Sequence, residues 1–198
     1  MKIFSKYQWL LFLSSLLLVF QSCETQLKSW PQKEYINYVN PFIGTGFHGH
    51  TFPGPTMPHG QIQLSPDTHL LGWDSSSGYH YDDRFIYGFS QNHLSGTGIG
   101  DMGDLLILPY TGTFDNSVKS AFSHLREEAK VGYYKVDLLS SNVTAELTAS
   151  ERIGVHRYTF PKDSIAYVKI DLEHILQADW GHKVVDSYLE IIDDFTIK

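Results

Sequence analysis

The sequence predicts an all-β fold of the sandwich type, and three observations carry that prediction. From Tyr35 onward no stretch shows the 3.6-residue apolar period of an amphipathic helix. Short runs rich in β-branched and aromatic residues recur instead, at 61–64, 85–90, 105–108, 133–139, 144–149, 155–160, 165–170 and 188–192. Turn residues separate them: Pro66-Asp67, Thr111-Gly112, Ser141-Asn142 and Pro161-Lys162-Asp163. Several short strands punctuated in this way are the pattern of a β-sandwich.

Taken in order, the chain opens on a targeting segment. Lys2 and Lys6 supply a positive start, and residues 9–20 are apolar except for Ser14 and Ser15. That run is short for a membrane span and fits a signal peptide over 1–22. It ends at Gln21-Ser22-Cys23. Cys23 is the only cysteine, so no intramolecular disulfide can form. A lone cysteine after an apolar run and a small residue looks like a bacterial lipobox, which makes Cys23 the lipid anchor. Residues 23–34 are polar, contain Pro31 and read as a tether. The folded domain is expected over 35–198. Within it, 144–148 and 155–160 alternate as half-buried strands do. Residues 124–130 are the best candidate for a helical turn, and Glu127-Glu128 reads as a solvated face. The run 188–198 reads as a last strand with no closing turn, which suggests a piece of a longer protein.

The 198 residues suffice for one core. The net charge of -7, with no basic cluster, argues against a nucleic-acid partner. Aromatic residues make up 14%. They serve either cross-strand packing or stacking on sugar rings, and composition does not separate the two.

Candidate function concentrates in residues 44–103, which hold 12 of the 16 glycines and six of the ten histidines. Glycine stands where backbone turns sharply or approaches something closely. Gly98-Ile99-Gly100-Asp101-Met102-Gly103 matches the letters of a dinucleotide fingerprint. A polar segment precedes it and a strand follows, the reverse of what that site requires, so nicotinamide and flavin binding are excluded. His48, His50, His80 and His93 offer transition-metal donors, but no H-E-x-x-H or C-x-x-C spacing supports them, and no metal ligand is assigned. Asp101 and Asp104 are a carboxylate pair of the kind sugar hydrolysis uses. A loop locked by aspartate–backbone bonds explains them better. No serine lies in a G-x-S-x-G context.

Longer motifs in this region resemble glycoside hydrolase family 92. They begin with Tyr38-Val39-Asn40-Pro41-Phe42-Ile43-Gly44-Thr45-Gly46 and His48-Gly49-His50-Thr51-Phe52-Pro53-Gly54. Gly72-Trp73-Asp74, Ser77-Gly78-Tyr79-His80-Tyr81 and His93-Leu94-Ser95-Gly96-Thr97-Gly98 follow, and His156-Arg157-Tyr158-Thr159-Phe160-Pro161 comes last. The resemblance implies a calcium-dependent, inverting, exo-acting α-mannosidase. Its N-terminal β-sandwich would pack on a C-terminal (α/α)6 barrel, with the active site between them. The catalytic acid, the base and the calcium contacts belong to the barrel, so no catalytic residue is assigned here and this portion alone is expected to bind no calcium. The substrate-binding residues it implies are Trp73, Asp74, His80, His93, Ser95, Gly96, Thr97 and Gly98. Relatives often carry an aromatic residue and a cysteine after the Trp-Asp pair, where Ser75 and Ser76 stand here. The expected partners are mannose-containing glycans, the missing barrel and, through Cys23, a membrane. The expected location is the periplasm or surface of a Gram-negative bacterium. The alternatives are a non-catalytic glycan-binding surface module and a degenerate gene fragment.

Overall fold

The computed structural model describes residues 34–198 apart from Thr97 and Asp163. The signal segment, Cys23, nearly all of the tether and Thr97 therefore lie outside the described residues. The chain divides into two units, residues 1–37 and residues 38–198. Of the first, the described part is the end of the tether and most of a 3-10 turn at Tyr35–Tyr38.

The second unit is built of strands. In chain order they are β1 (Ser65–Asp67), β2 (Phe85–Ile86), β3 (Gly88–Ser90), β4 (Leu106–Thr111), β5 (Ser120–Ala121) and β6 (Glu127–Lys130). β7 (Tyr133–Leu138), β8 (Val143–Ala149), β9 (Gly154–Thr159), β10 (Ala166–Asp171), β11 (Ile191–Asp193) and β12 (Thr196–Ile197) complete the set. Among the described residues the only helices are 3-10 turns, and no helix is long and apolar enough to cross a membrane.

Two antiparallel four-stranded sheets dominate, in the orders β1-β3-β4-β10 and β6-β7-β8-β9. The second is a meander whose alternation sets its faces. Tyr134, Val136 and Leu138 on β7 are buried, and they stand opposite Leu147, Ala145 and Val143 on β8. The core joins these six to Leu64, Ile86, Phe89 and Leu108 from the other side, so the two inner faces pack on each other as a sandwich. On the outward face Arg157 pairs with Glu146 across β8 and β9, and Tyr133 donates to the same carboxylate at 2.7 Å. An exposed pair of this kind is screened by solvent and contributes little to stability.

The all-β class is as expected, and several boundaries move. The first strand is 65–67 rather than 61–64, where Gln63 makes only an isolated bridge to Thr56, so Pro66-Asp67 is strand and not turn. β1 is an edge strand, where a proline's missing N–H is tolerated, and Asp67 is drawn inside by buried histidines. The run 85–90 divides at Tyr87, because β2 pairs with β5 while β3 pairs with β1 and β4. β4 continues through Pro109 to Thr111. β3 reaches β4 only at Phe89↔Ile107, so Pro109 lies beyond that pairing.

The helical turn expected over 124–130 is helical only at His124–Arg126, where the Ser123 side chain accepts from the Leu125 N–H. Glu127–Lys130 is a strand, and Glu127 is not solvated. Its side chain is 0% exposed and accepts from Tyr79 and Tyr134 hydroxyls at 3.0 and 2.6 Å, with His124 Nδ1 at 2.6 Å. The segment 188–198 does turn, at Asp194-Phe195, giving an exposed hairpin of β11 and β12.

Candidate functional site

The site begins with a loop that doubles back on itself over residues 42–51. Thr45 N–H donates to Phe42 C=O, Gly49 N–H to Gly46 C=O and Thr51 N–H to Gly44 C=O, each at 3.2 Å. Gly49 is required there. A Cβ on it would lie 2.0 Å from the Gly44 carbonyl oxygen. The loop holds Phe47 and His50 in the left-handed region, at φ 53° and 52°. Such backbone is costly for non-glycine residues and persists where the surroundings impose it.

A second loop carries the 3-10 turn Trp73–Ser75. Gln177, fully buried and itself at φ 56°, donates from Nε2 to Gly72 C=O at 3.0 Å and accepts from Gly100 N–H at 2.5 Å. Asp179 accepts from Gly72 N–H at 3.1 Å. The turn is thereby fixed from residues about a hundred positions away. The Trp73 indole is 49% exposed, edge-on to His50 at 4.6 Å and tilted against His48 at 5.0 Å. Phe47, 79% exposed, extends this row of rings through His48 at 4.1 Å.

The third loop is 93–98. Gly96 N–H donates to His50 C=O at 2.6 Å. A Cβ on Gly98 would come within 2.5 Å of the Trp73 Nε1, so the backbone there backs directly onto the indole. Asp74 completes the group. Its Oδ1 faces His48 Nδ1 at 2.7 Å and His50 Nε2 at 3.1 Å. The hydrogen bond with His48 is the main influence on the Asp74 carboxyl. With that from His50 it outweighs the opposing effect of burial and holds the carboxyl below the usual range.

The structure thus brings Trp73, Asp74, Gly96 and Gly98 together with His48 and His50. Ser95 is exposed on the third loop. His80 stands beside the first loop, its Nε2 donating to Phe47 C=O at 3.1 Å. His93 does not reach the cleft as expected. It is 1% exposed, and both of its nitrogens face internal partners: Gln63 C=O at 2.7 Å, and Asp67 Oδ1 at 2.6 Å with Ser90 Oγ at 2.9 Å. Ser90 and Asp67 share the same ring nitrogen, so these three residues are not a Ser-His-Asp relay, which needs opposite nitrogens. His174 Nε2 meets the other Asp67 oxygen at 2.6 Å.

Sequence reasoning missed Gln177, His174 and the inward role of Asp67. Each acts through partners in distant loops, and no local motif marks such pairing. Asp101 and Asp104 line a separate cavity of about 180 Å³ with Leu176, His182 and Lys183.

Comparison with known proteins gives this sandwich and its glycine-rich loops a family. Residues 38–198 match the glycosyl hydrolase family 92 N-terminal domain, and the chain belongs to that family. It is similar to the family GH92 α-mannosidase BT3965 from Bacteroides thetaiotaomicron, whose structure includes a complex with mannoimidazole. Identity is 41% and the TM-score 0.71, over 73% of this chain and 20% of that one. The family GH92 inverting mannosidase BT2199 of the same organism is 28% identical at a TM-score of 0.59, over 72% and 20%. A secreted glycosidase of Arthroderma benhamiae, otherwise uncharacterized, is 28% identical over 66% of this chain and 18% of its own length. The chain thus spans about a fifth of the length of the relatives it matches.

Proposed function

We propose that this chain is the N-terminal portion of an exo-acting, inverting α-mannosidase, and that its loops form one wall of the mannose pocket. The observation that carries this is the half-exposed Trp73 indole, fixed from behind by Gly98 and from the side by His48 and His50. An aromatic face held in place stacks on the C–H face of a pyranose ring, and neighbouring polar atoms bond its hydroxyls. Trp73 supplies the face. Asp74, His80, Ser95 and the backbone N–H of Gly98 supply the polar contacts, the Gly96 N–H being engaged by His50 C=O, and His93 braces the loop from inside rather than touching sugar. The related mannosidase captured with mannoimidazole supports the substrate class.

Inverting hydrolysis needs a general acid and a base that activates water, about 6.5–9.5 Å apart across the bond. In this reading both belong to the barrel, as does calcium. Calcium takes six to eight oxygen ligands. The metal-capable group found among the described residues offers two nitrogens and one carboxylate, which does not fit calcium. No step is therefore assigned to calcium here.

Titration of the chain with methyl α-mannoside, followed by the indole N–H resonances, tests the pocket. The Trp73 signal should shift, and Trp73→Ala should remove the response while the fold persists. A shift confined to other residues would overturn the assignment. Export, supported by the secreted relative, and lipidation at Cys23 complete the reading. The expressed protein should enter the detergent phase, and Cys23→Ala should move it to the aqueous phase, because a lipoprotein's several acyl chains hold firmly where one does not. A non-catalytic glycan-binding module is the second reading, favoured by the exposed Phe47–His48–Trp73 row.

A further inference from the structure

We infer that His48, His50 and Asp74 form a binding site for one divalent first-row transition metal, with Zn²⁺ as the natural probe. The three donor atoms, His48 Nδ1, His50 Nε2 and a carboxylate oxygen of Asp74, lie within 4.8 Å of one another. Tetrahedral zinc with bonds near 2.0–2.1 Å places its ligand atoms roughly 3.3 Å apart. The Asp74 oxygen stands 2.7 Å from one ring nitrogen and 3.1 Å from the other. Opening these two gaps to the zinc distance takes roughly 0.6 and 0.2 Å, and the two ring nitrogens, which lie within 4.8 Å of each other, settle at the same spacing by side-chain rotation.

The donor chemistry selects the ion. Two imidazoles and a carboxylate suit zinc and its first-row neighbours, whereas calcium and magnesium want oxygen alone. Three protein ligands with an open side are the arrangement of a zinc that keeps an exchangeable position. That open side exists here, since the His48 and Asp74 side chains are 46% and 30% exposed while His50 is 5%. The ligands are also held in place before any ion arrives. His50 sits in left-handed backbone with its carbonyl clamped by Gly96 N–H, and Asp74 rides on the turn that Gln177 and Asp179 secure. Trp73 fixes both rings from one side. Preorganised donors lose less freedom on binding. The inference needs neither mannose binding nor catalysis to hold.

The experiment uses the full chain, tag-free and stripped with chelator, titrated calorimetrically with Zn²⁺ at neutral pH. One ion per chain should bind, and excess Ca²⁺ should not displace it. His48→Gln, His50→Gln and Asp74→Asn should each weaken binding by more than the 10–100-fold that outer-shell changes cost. His182→Gln, outside the cluster, should not. His48 is the most exposed ligand, so His48→Gln keeps the test valid if the buried variant fails to fold. A second readout places the ion. Ni²⁺ should quench the Trp73 indole, and Trp73→Phe should abolish that quenching while one Zn²⁺ per chain still binds. No bound Zn²⁺, an unchanged affinity in the folded variants, or displacement by equimolar Ca²⁺ would each overturn the site. The three groups would then be no more than a carboxylate hydrogen-bonded by two rings.

Discussion

Asp67 shows how much one side chain organises. Burial by itself would raise its carboxyl. The adjoining rings of His93 and His174 outweigh that and hold it well below the usual carboxylate range. Gly78 passes directly over this pair at φ +74°, and a Cβ there would fall 2.2 Å from Asp67 Oδ1 and 2.9 Å from the His93 ring. Gly78→Ala should therefore destabilise by about 3 kcal/mol or more, through overpacking and strained backbone together. Asp67→Asn should cost about 3–5 kcal/mol, because an amide cannot accept from both rings at once. Urea unfolding measures both, and a loss under 1 kcal/mol in either would contradict the packing described.

His156 makes a second prediction at this scale. Burial pushes its ring down from 6.5 to about 4. As pH falls through 6.5 the unfolded chain takes up a proton that the folded chain refuses until about pH 4. The unfolded state then binds more protons, so stability declines across that window, by about 3 kcal/mol when complete. His156→Gln should lose less stability than the parent between pH 7 and pH 4.5. Parallel curves for the two proteins would show that the ring titrates normally.

Side chains fasten elements here in addition to the sheet ladders. Glu127 ties the start of β6 to Tyr79, Tyr134 and His124, which is why a stretch of good helix formers, Glu-Glu-Ala-Lys, is a strand. Propensity is a weak prior when a carboxylate has two buried tyrosines and a histidine waiting. Gln177 does the same for loops, joining the Trp73 turn to Gly100. Gln177→Ala leaves the Gly100 amide without its Gln177 partner and the Gly72 carbonyl with Ser75 alone, and should cost about 1–3 kcal/mol. Hydrogen exchange at the Gly100 amide should quicken correspondingly. Unchanged protection there would mean the loop is held by something else.

The molecule as a whole presents two different surfaces. Around the sandwich core side chains interlock, whereas the hairpin of β11 and β12 is wholly exposed, with Phe195 at 99% and Ile191 at 75%. Apolar side chains left open in this way attract hydrophobic dyes, and the purified chain should bind one. The proposal also sets an expectation for activity. The chain by itself should hydrolyse no α-mannobioside, with calcium present or absent, since the proposed reading assigns the acid and the base to the barrel. Turnover abolished by Asp101→Asn would place the chemistry within these residues and refute that division of labour.

What could be read from residue order alone was whatever depends on neighbours in the chain. Alternation along 133–138 and 144–149 announced two half-buried strands, turn residues separated them, and linear motifs from Tyr38 to Pro161 indicated the family. Trp73 with Asp74, and Gly96 with Gly98, were also legible, because each pair lies within one short motif. Only the folded structure could show that His93 is buried beneath the cleft while His48 and His50 line it. All three are histidines in glycine-rich loops, and which way each ring turns is decided by partners that the chain brings from elsewhere. Asp67 meets His174 across 107 positions, and Gln177 reaches Gly72 across 105. No local pattern encodes such a meeting. It arises once the sheets have packed and an unpaired buried polar group would cost more than the entropy of ordering its partner.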